Sequence, residues 1–161
     1  MDQADIDTAI HDLLAGAEHH LASQRPVTPP SEDLVRAEEL LREDPVRSAH
    51  LWTYDGQQVR AADIAGHIEE ALGLFRREGW TRRHFVVEGR CIQGALQDAQ
   101  LAGHGTEATA YVSRSVMRWL LHTRGLNIDT ITFNDRRAAA QADVEALFAD
   151  AANFARHYGP I

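Results

Sequence analysis

The clearest candidate for chemistry in this chain is Cys91, the single cysteine, which directly follows Arg90 and the Glu88-Gly89 turn signal. At the predicted start of a helix, backbone N–H groups and the helix dipole favour a thiolate. A thiolate nucleophile also requires a neighbouring base. The candidate bases are His84, His104 and His122. The competing interpretation is a buried, unreactive thiol, and it is favoured because cysteine is among the most buried residue types and no cysteine-hydrolase signature accompanies it.

A second candidate is the pair Asn134-Asp135, whose amide and carboxylate could bind a substrate or a metal ion. The same two residue types commonly form turns and cap helices, so the alternative prediction is a cap for the last helix. The sequence contains no His-x-x-x-His or Cys-x-x-Cys pair, and therefore predicts no metal site. It also contains no lysine, which excludes Schiff-base chemistry and a phosphate-binding lysine loop. No cofactor is predicted.

A third candidate is a cluster of arginines interleaved with Trp80. Its members are Arg76, Arg77, Arg82, Arg83 and Arg90. Such a cluster can hold nucleic acid or an acidic partner, with the indole available for stacking. The alternative is a solvated helix end, where arginines complement the helix dipole. The formal net charge of −8 weighs against phosphate binding.

Charge is distributed unevenly along the chain. Residues 1–75 carry five arginines and fifteen acidic residues, whereas residues 76–137 carry ten arginines and six acidic residues. The two regions can attract each other, or partners of opposite charge. We therefore expect a protein partner or self-association, for example as a dimer. Nucleic acid remains the less favoured partner.

Apolar spacing and turn signals predict an α-rich α+β domain, with about six helices around one core and two short hairpin-like β pieces. The helices are expected at 5–21, 31–44, 61–78, 91–102, 106–124 and after Asn134-Asp135. The β pieces are expected at 50–59, around Asp55-Gly56, and at 84–87. The alternating β-branched residues of 127–133 predict a further brief extended piece.

The prolines between residues 26 and 30 predict a boundary. Residues 1–30 are expected to be an N-terminal helix with a proline-rich linker, and residues 31–161 a helical core domain. One cysteine and no long apolar run predict a cytoplasmic protein without membrane segments.

Three motifs occur in a definite order. Gly79-Trp80 is followed by Cys91-Ile92-Gln93-Gly94-Ala95-Leu96 and then by Phe133-Asn134-Asp135, before an alanine-rich helix. This order resembles an uncharacterised domain-of-unknown-function family of small actinobacterial and phage proteins, over about residues 60–158. Phe133 stands where that family is expected to carry tryptophan. The resemblance implies lineage and fold but no activity.

The function that these patterns favour is a non-enzymatic binding or regulatory module acting through protein contacts. The alternative from another class is a small cysteine-dependent enzyme that uses Cys91 with a histidine, and with Asn134. A third hypothesis is nucleic-acid binding through the Arg76–Arg90 cluster.

Overall fold

The computed structural model describes residues 28–82 and 90–161, which form seven α-helices, one hairpin and one π-helical turn. The helices are α1 (Glu32–Arg42), α2 (Pro45–Leu51), α3 (Ala61–Glu78), α4 (Ile92–Leu101), α5 (Glu107–Thr123), α6 (Thr130–Thr132) and α7 (Gln141–Tyr158). The strands are β1 (Thr53–Tyr54) and β2 (Gln57–Gln58), and the π-helical turn is Phe133–Arg137. The predicted α-rich α+β class is confirmed. The predicted helix at 5–21 and β piece at 84–87 lie outside the described residues.

The core is built around α3 and α7, which pack against each other more extensively than any other pair of elements. The predicted apolar face of α3 is buried, including Ile64, Ile68 and Phe75. The rings of Phe75 and Phe148 lie 5.6 Å apart between centroids. Burying such side chains is the main stabilising contribution to a domain of this size.

The remaining helices cover this pair. α5 packs against both α3 and α7, and α1 packs on α5, where Trp119 Nε1 donates a hydrogen bond to the Ala37 carbonyl at 3.1 Å. Trp52, directly after α2, stacks on Phe154 of α7 at 5.9 Å. No helix among the described residues has both the length and the apolar character to cross a membrane.

The first predicted hairpin is confirmed. Thr53 pairs with Gln58 and Tyr54 with Gln57 in antiparallel register. The two turn residues, Asp55 and Gly56, have φ angles of 49° and 73°. Positive φ at both central positions is the requirement of a type I′ turn, which is why an Asp-Gly pair predicts a hairpin.

The prediction missed α2. Pro45 ends α1 as expected, but it also opens α2, with Asp44 as its N-cap accepting a hydrogen bond from Arg47 N at 2.9 Å. Proline suits the first position of a helix because its missing N–H would have no partner there. A helix consequently occupies residues that were expected to begin the hairpin.

The region between α5 and α7 also differs from the prediction. Residues 127–133 do not form an extended piece, because Asp129 accepts a hydrogen bond from Thr132 N at 2.7 Å and starts α6. The last helix begins at Gln141, and the Asp143 carboxylate accepts hydrogen bonds from Ala139 N and Ala140 N at its start. The prediction that Asn134-Asp135 caps this helix is therefore wrong.

Candidate functional site

Asn134 is buried at a junction of three chain segments, with 1% of its surface exposed. Its Oδ1 accepts hydrogen bonds from Trp80 Nε1 at 3.1 Å and from Ile92 N at 3.3 Å. Its Nδ2 donates to the Thr81 carbonyl at 2.9 Å and to Asp135 Oδ1 at 2.8 Å. Two acceptor and two donor positions are all that an amide side chain offers. All four are satisfied.

This junction explains the order of the three sequence motifs. The segment after α3 and the segment before α4 meet in a parallel bridge between Trp80 and Arg90. Arg90 N donates to the Gly79 carbonyl at 2.7 Å, and Thr81 N donates to the Arg90 carbonyl at 3.0 Å. The π-helical turn then directs Asn134 into this bridge. The motif residues therefore lie together, as the parts of one hydrogen-bonded joint.

Cys91 is buried, as expected, with 6% of its surface exposed. It occupies the N-cap of α4, and Gly94 N donates a hydrogen bond to Cys91 Sγ at 3.3 Å. The predicted position at the start of a helix is confirmed. The sulfur serves one of the backbone N–H groups that a helix start leaves unpaired.

The histidines considered as bases for Cys91 have other surroundings. His104 follows the far end of α4, a helix of ten residues and hence about 15 Å long. His122 lies beside the ring of Trp119 at 5.5 Å between centroids. His84 lies outside the described residues. Within the described residues, no three His, Cys, Asp or Glu side chains are grouped so that they could hold a metal ion.

The predicted arginine cluster is divided among partners inside the chain. Arg76 pairs with Glu145 of α7 at 2.9 Å, and Arg90 pairs with Asp98 of α4. Arg82 lies 5.1 Å from the centroid of the Trp80 ring and donates to the Ala138 carbonyl at 3.2 Å. Arg77 is exposed on the last turn of α3, and Arg83 lies outside the described residues.

A different basic surface lies on α5. Arg114 and Arg118, one helical turn apart, line a groove of about 240 Å³ that reaches α4 and α6. We call this the arginine groove; its lining residues are Gln93, Tyr111, Arg114, Ser115, Arg118, Asp129, Thr130 and Ile131. Two large apolar side chains are exposed there, Tyr111 at 46% and Ile131 at 40%. The groove combines positive charge, hydroxyl groups and exposed apolar surface.

The two groove arginines differ from most arginines of the described chain. Arg114 and Arg118 form no ion pair with a described carboxylate. Asp129 lines the same groove, and its pKa lies below the usual range, chiefly because Thr132 N donates to it, with smaller contributions from the Thr132 hydroxyl and then from nearby Arg118. Eight other arginines do form ion pairs with carboxylates: Arg36, Arg42, Arg47, Arg60, Arg76, Arg90, Arg124 and Arg156.

Tyr111, Arg114 and Arg118 were not singled out from the sequence, although a signal was present. They recur at spacings of three and four residues, which places them on one face of a helix. Glu107 is the only acidic residue between positions 106 and 124. Counting the charge of each predicted helix separately, with attention to its solvent face, would have drawn attention to this surface.

Comparison with known proteins identifies a family whose function is unknown. No curated protein matches the chain, and no solved structure matches it. The model of the family of unknown function DUF6197 matches residues 59–154, from the end of the hairpin to α7. The matched region contains all three motifs of the Asn134 junction. This chain belongs to the DUF6197 family.

Proposed function

We propose that the protein is a non-enzymatic binding module that acts through protein contacts, and that the arginine groove receives an acidic, partly apolar segment of its partner. The observation that carries the proposal is the pair Arg114 and Arg118, which has no ion pair with a described carboxylate in a chain of net charge −8. Because the protein is acidic overall, a partner that carries carboxylates fits this surface better than it fits the other surfaces of the protein.

The residue types of the groove support a protein partner. Arginine and tyrosine are enriched at the energetically dominant positions of protein interfaces. The exposed ring of Tyr111 and the side chain of Ile131 offer apolar contact beside the charges. A shallow groove of about 240 Å³ suits a few side chains of a peptide segment.

Residues 1–27 of the chain itself have the chemistry of such a partner. They contain five acidic residues and one arginine, and their apolar residues recur at helical spacing. A second copy of the chain could therefore supply the segment, which is the self-association expected from the sequence.

The other two hypotheses receive less support. Cys91 is buried and accepts a hydrogen bond at a helix start, which is a structural role. Arg76, Arg82 and Arg90 have partners within the chain, so the cluster presents less free charge to a phosphate backbone than its sequence suggests. Both observations favour a binding module over an enzyme or a nucleic-acid-binding protein.

The experiment measures binding of a fluorescein-labelled peptide with the sequence of residues 1–27 to the full-length protein, by anisotropy at several salt concentrations. We expect salt-sensitive binding that the double variant Arg114→Glu/Arg118→Glu weakens by about tenfold or more, since close charge pairs at interfaces contribute at least ~1.5 kcal/mol. Light scattering of the same proteins should show weaker self-association of the variant.

The matched control is Arg136→Glu/Arg137→Glu, which makes the same charge change at two exposed arginines of the π-helical turn that do not line the groove. It should retain more than half of the wild-type affinity. Equal weakening by both double variants would show that only net charge matters and would contradict the proposal. Tight binding of random duplex DNA, lost in Arg114→Glu/Arg118→Glu, would contradict it in favour of nucleic acid.

A further inference from the structure

A second and larger groove lies between the first half of α3 and the His104–Thr109 segment that leads into α5. Its volume is about 750 Å³, and the β2 strand borders one end. Sites for small molecules commonly have volumes of about 300–1,000 Å³. None of its lining residues belongs to the arginine groove, so it is a separate feature of the fold.

The floor of this groove includes His67, whose side chain is 1% exposed. His67 Nδ1 lies 2.7 Å from the His104 carbonyl oxygen. A carbonyl oxygen can only accept a hydrogen bond, so Nδ1 carries the proton. In the neutral ring, Nε2 then has a free lone pair and can only accept.

His67 Nε2 has no hydrogen-bond partner among residues 28–82 and 90–161, and it is the one side-chain N or O atom in that part of the chain that is both buried and unpartnered. Buried polar atoms are nearly always partnered, so an exception indicates a place where another molecule can supply the bond. Burial lowers the pKa of His67 and outweighs the opposing effect of the hydrogen bond to the His104 carbonyl, so the fold favours the neutral ring.

The backbone at Gly105 approaches the His67 ring closely. Gly105 lies so close that a Cβ atom there would be 2.6 Å from His67 Nδ1 and 2.5 Å from Thr109 Oγ1. Only glycine fits such a close approach, and its φ of 133° is also one that other residues rarely adopt. The glycine leaves room for the ring, and the hydrogen bond to the His104 carbonyl orients Nδ1.

The surrounding groups disfavour an anionic ligand. At the start of α5, Thr106 N donates to Thr109 Oγ1 and Thr109 N donates to Thr106 Oγ1, so these two N–H groups are already used. Arg60 donates to both carboxylate oxygens of Asp63, at 2.9 and 3.1 Å. The acidic side chain that remains at the groove is Glu70, half-exposed and 4.0 Å from His104 Nε2.

We propose that this groove binds a small amine or hydroxyl compound, uncharged or cationic, whose N–H or O–H group donates a hydrogen bond to His67 Nε2. Glu70 offers a second acceptor one helical turn further along the same face of α3. Nε2 is buried in the free protein, so binding through Nε2 requires a local opening of the groove floor.

The test uses the full-length protein with ¹⁵N-labelled histidine, and follows the His67 Nε2 resonance by NMR at pH 7.5. The donor probes are ethanolamine and glycerol, and the anionic probes of similar size are acetate and inorganic phosphate. We expect at least one donor probe to shift the Nε2 resonance in the direction of a hydrogen-bonded nitrogen, and neither anion to do so. The variant His67→Asn identifies the resonance by its loss.

Two glycines of α3 give a matched pair of variants. Gly66 lines the groove, and a Cβ there would meet nothing within 4 Å, so Gly66→Leu should fill the groove without disturbing the helix. Gly73 is outside the groove lining, and its Cβ would meet only the end of the Arg77 side chain at 3.4 Å. Gly66→Leu should abolish the shift, and Gly73→Leu should retain it.

His67→Asn keeps an N–H group that can donate to the His104 carbonyl but removes the acceptor at the Nε2 position. It should weaken the binding of the donor probe by about fivefold, measured on the backbone resonances of the groove, in line with the loss of one hydrogen bond. The proposal is overturned if neither donor probe shifts Nε2, if Gly66→Leu binds as the wild type does, or if the anions produce the same shift. None of these outcomes bears on the arginine groove.

Discussion

Asn134 and His67 are both buried polar side chains with 1% of their surface exposed, but they differ in how many of their hydrogen-bonding positions are used. Asn134 uses both donor and both acceptor positions of its amide. His67 uses Nδ1 alone, and its Nε2 has no described partner. A fully partnered polar group fixes the chain segments around it, whereas an unpartnered one leaves a bond that another molecule can form.

This contrast bears on the interpretation of the three sequence motifs. Trp80 and Asn134 look like binding residues in the sequence, because exposed indole and amide groups often contact ligands. In the fold their polar atoms bond to each other. His67 belongs to no motif, yet it carries the open acceptor. In this chain the three motifs thus hold chain segments together, and the candidate sites lie elsewhere.

The largest expected effect tests the junction. Asn134→Ala removes the acceptor of Trp80 Nε1 and of Ile92 N, and each unpartnered buried group destabilises by about 1–3 kcal/mol. We expect the free energy of unfolding to fall by about 3 kcal/mol or more in urea titrations. The control Asn127→Ala, at an exposed position, should change it by less than about 0.5 kcal/mol. A loss below about 1 kcal/mol at Asn134 would show that the joint is not structural.

The next effect is a pH dependence that comes from His67. Its pKa in the folded protein is lowered, mainly by burial, so between that value and about 6.5 the unfolded chain binds more protons. Stability should therefore fall as the pH drops below about 6.5, by up to about 1.4 kcal/mol per pH unit. Urea titrations from pH 7.5 to 5.5 measure it.

The control is His67→Asn, which cannot take up a proton at this position. Its free energy of unfolding should therefore lack the part of the pH dependence that comes from His67. The pKa values of Asp129 and Glu145 are also lowered. Asp129 accepts a hydrogen bond from Thr132 N, and Glu145 accepts hydrogen bonds from Gln141 and Arg76. Their stabilisation is lost only as the pH falls below about 4.5, equally in both proteins. If stability changed with pH between 7.5 and 5.5 identically in the wild type and in His67→Asn, His67 would be protonated as easily in the folded protein as in the unfolded chain. The contrast in hydrogen bonding between His67 and Asn134 would then be contradicted.

A smaller effect concerns the other end of the junction. Cys91 should react with a thiol reagent at least about tenfold more slowly in the native protein than in the unfolded chain, because labelling requires the start of α4 to open. Time courses of absorbance in native buffer and in urea give the two rates. Rapid labelling of the native protein would place Cys91 among the reactive thiols and revive the enzyme hypothesis.

The smallest effect is expected from removing residues 1–30. A chain that begins at Ser31 should remain folded, with its free energy of unfolding within about 1 kcal/mol of the full chain, because a proline-rich connection is a usual domain boundary. Its His67 ¹⁵N resonances should be unchanged. Aggregation would mean that the segment covers the core, and a moved Nε2 resonance would mean that the segment supplies the missing partner.

Much of the fold could be predicted from local patterns. The bounds of α3 match the expectation because Ile64, Ile68 and Phe75 recur at helical spacing and Gly79 closes the helix. The hairpin was predictable because an Asp-Gly pair adopts positive φ angles more easily than other pairs. Cys91 was placed correctly at a helix start for the same kind of reason, a turn followed by an apolar pattern.

The sites could not be predicted in this way. Five arginines close together in the sequence suggest one surface, yet Arg76 turns to Glu145 and Arg90 to Asp98, on two different helices. Neither acidic partner is marked by the sequence as belonging to the cluster. For the same reason the sequence does not point to Arg114 and Arg118, whose proposed role in binding rests on the lack of an ion pair with a described carboxylate.

The amino-acid sequence by itself determined the class of fold, most helix bounds and the hairpin turn, because each follows from the spacing of apolar residues or from turn chemistry. Only the tertiary structure decided which polar groups are satisfied. A hydrogen bond such as that of Trp80 to Asn134 joins residues 54 positions apart, and no local pattern encodes it. The lone pair of His67 Nε2 has no partner among residues 28–82 and 90–161 for the same reason, since burial and pairing are properties of the packed chain.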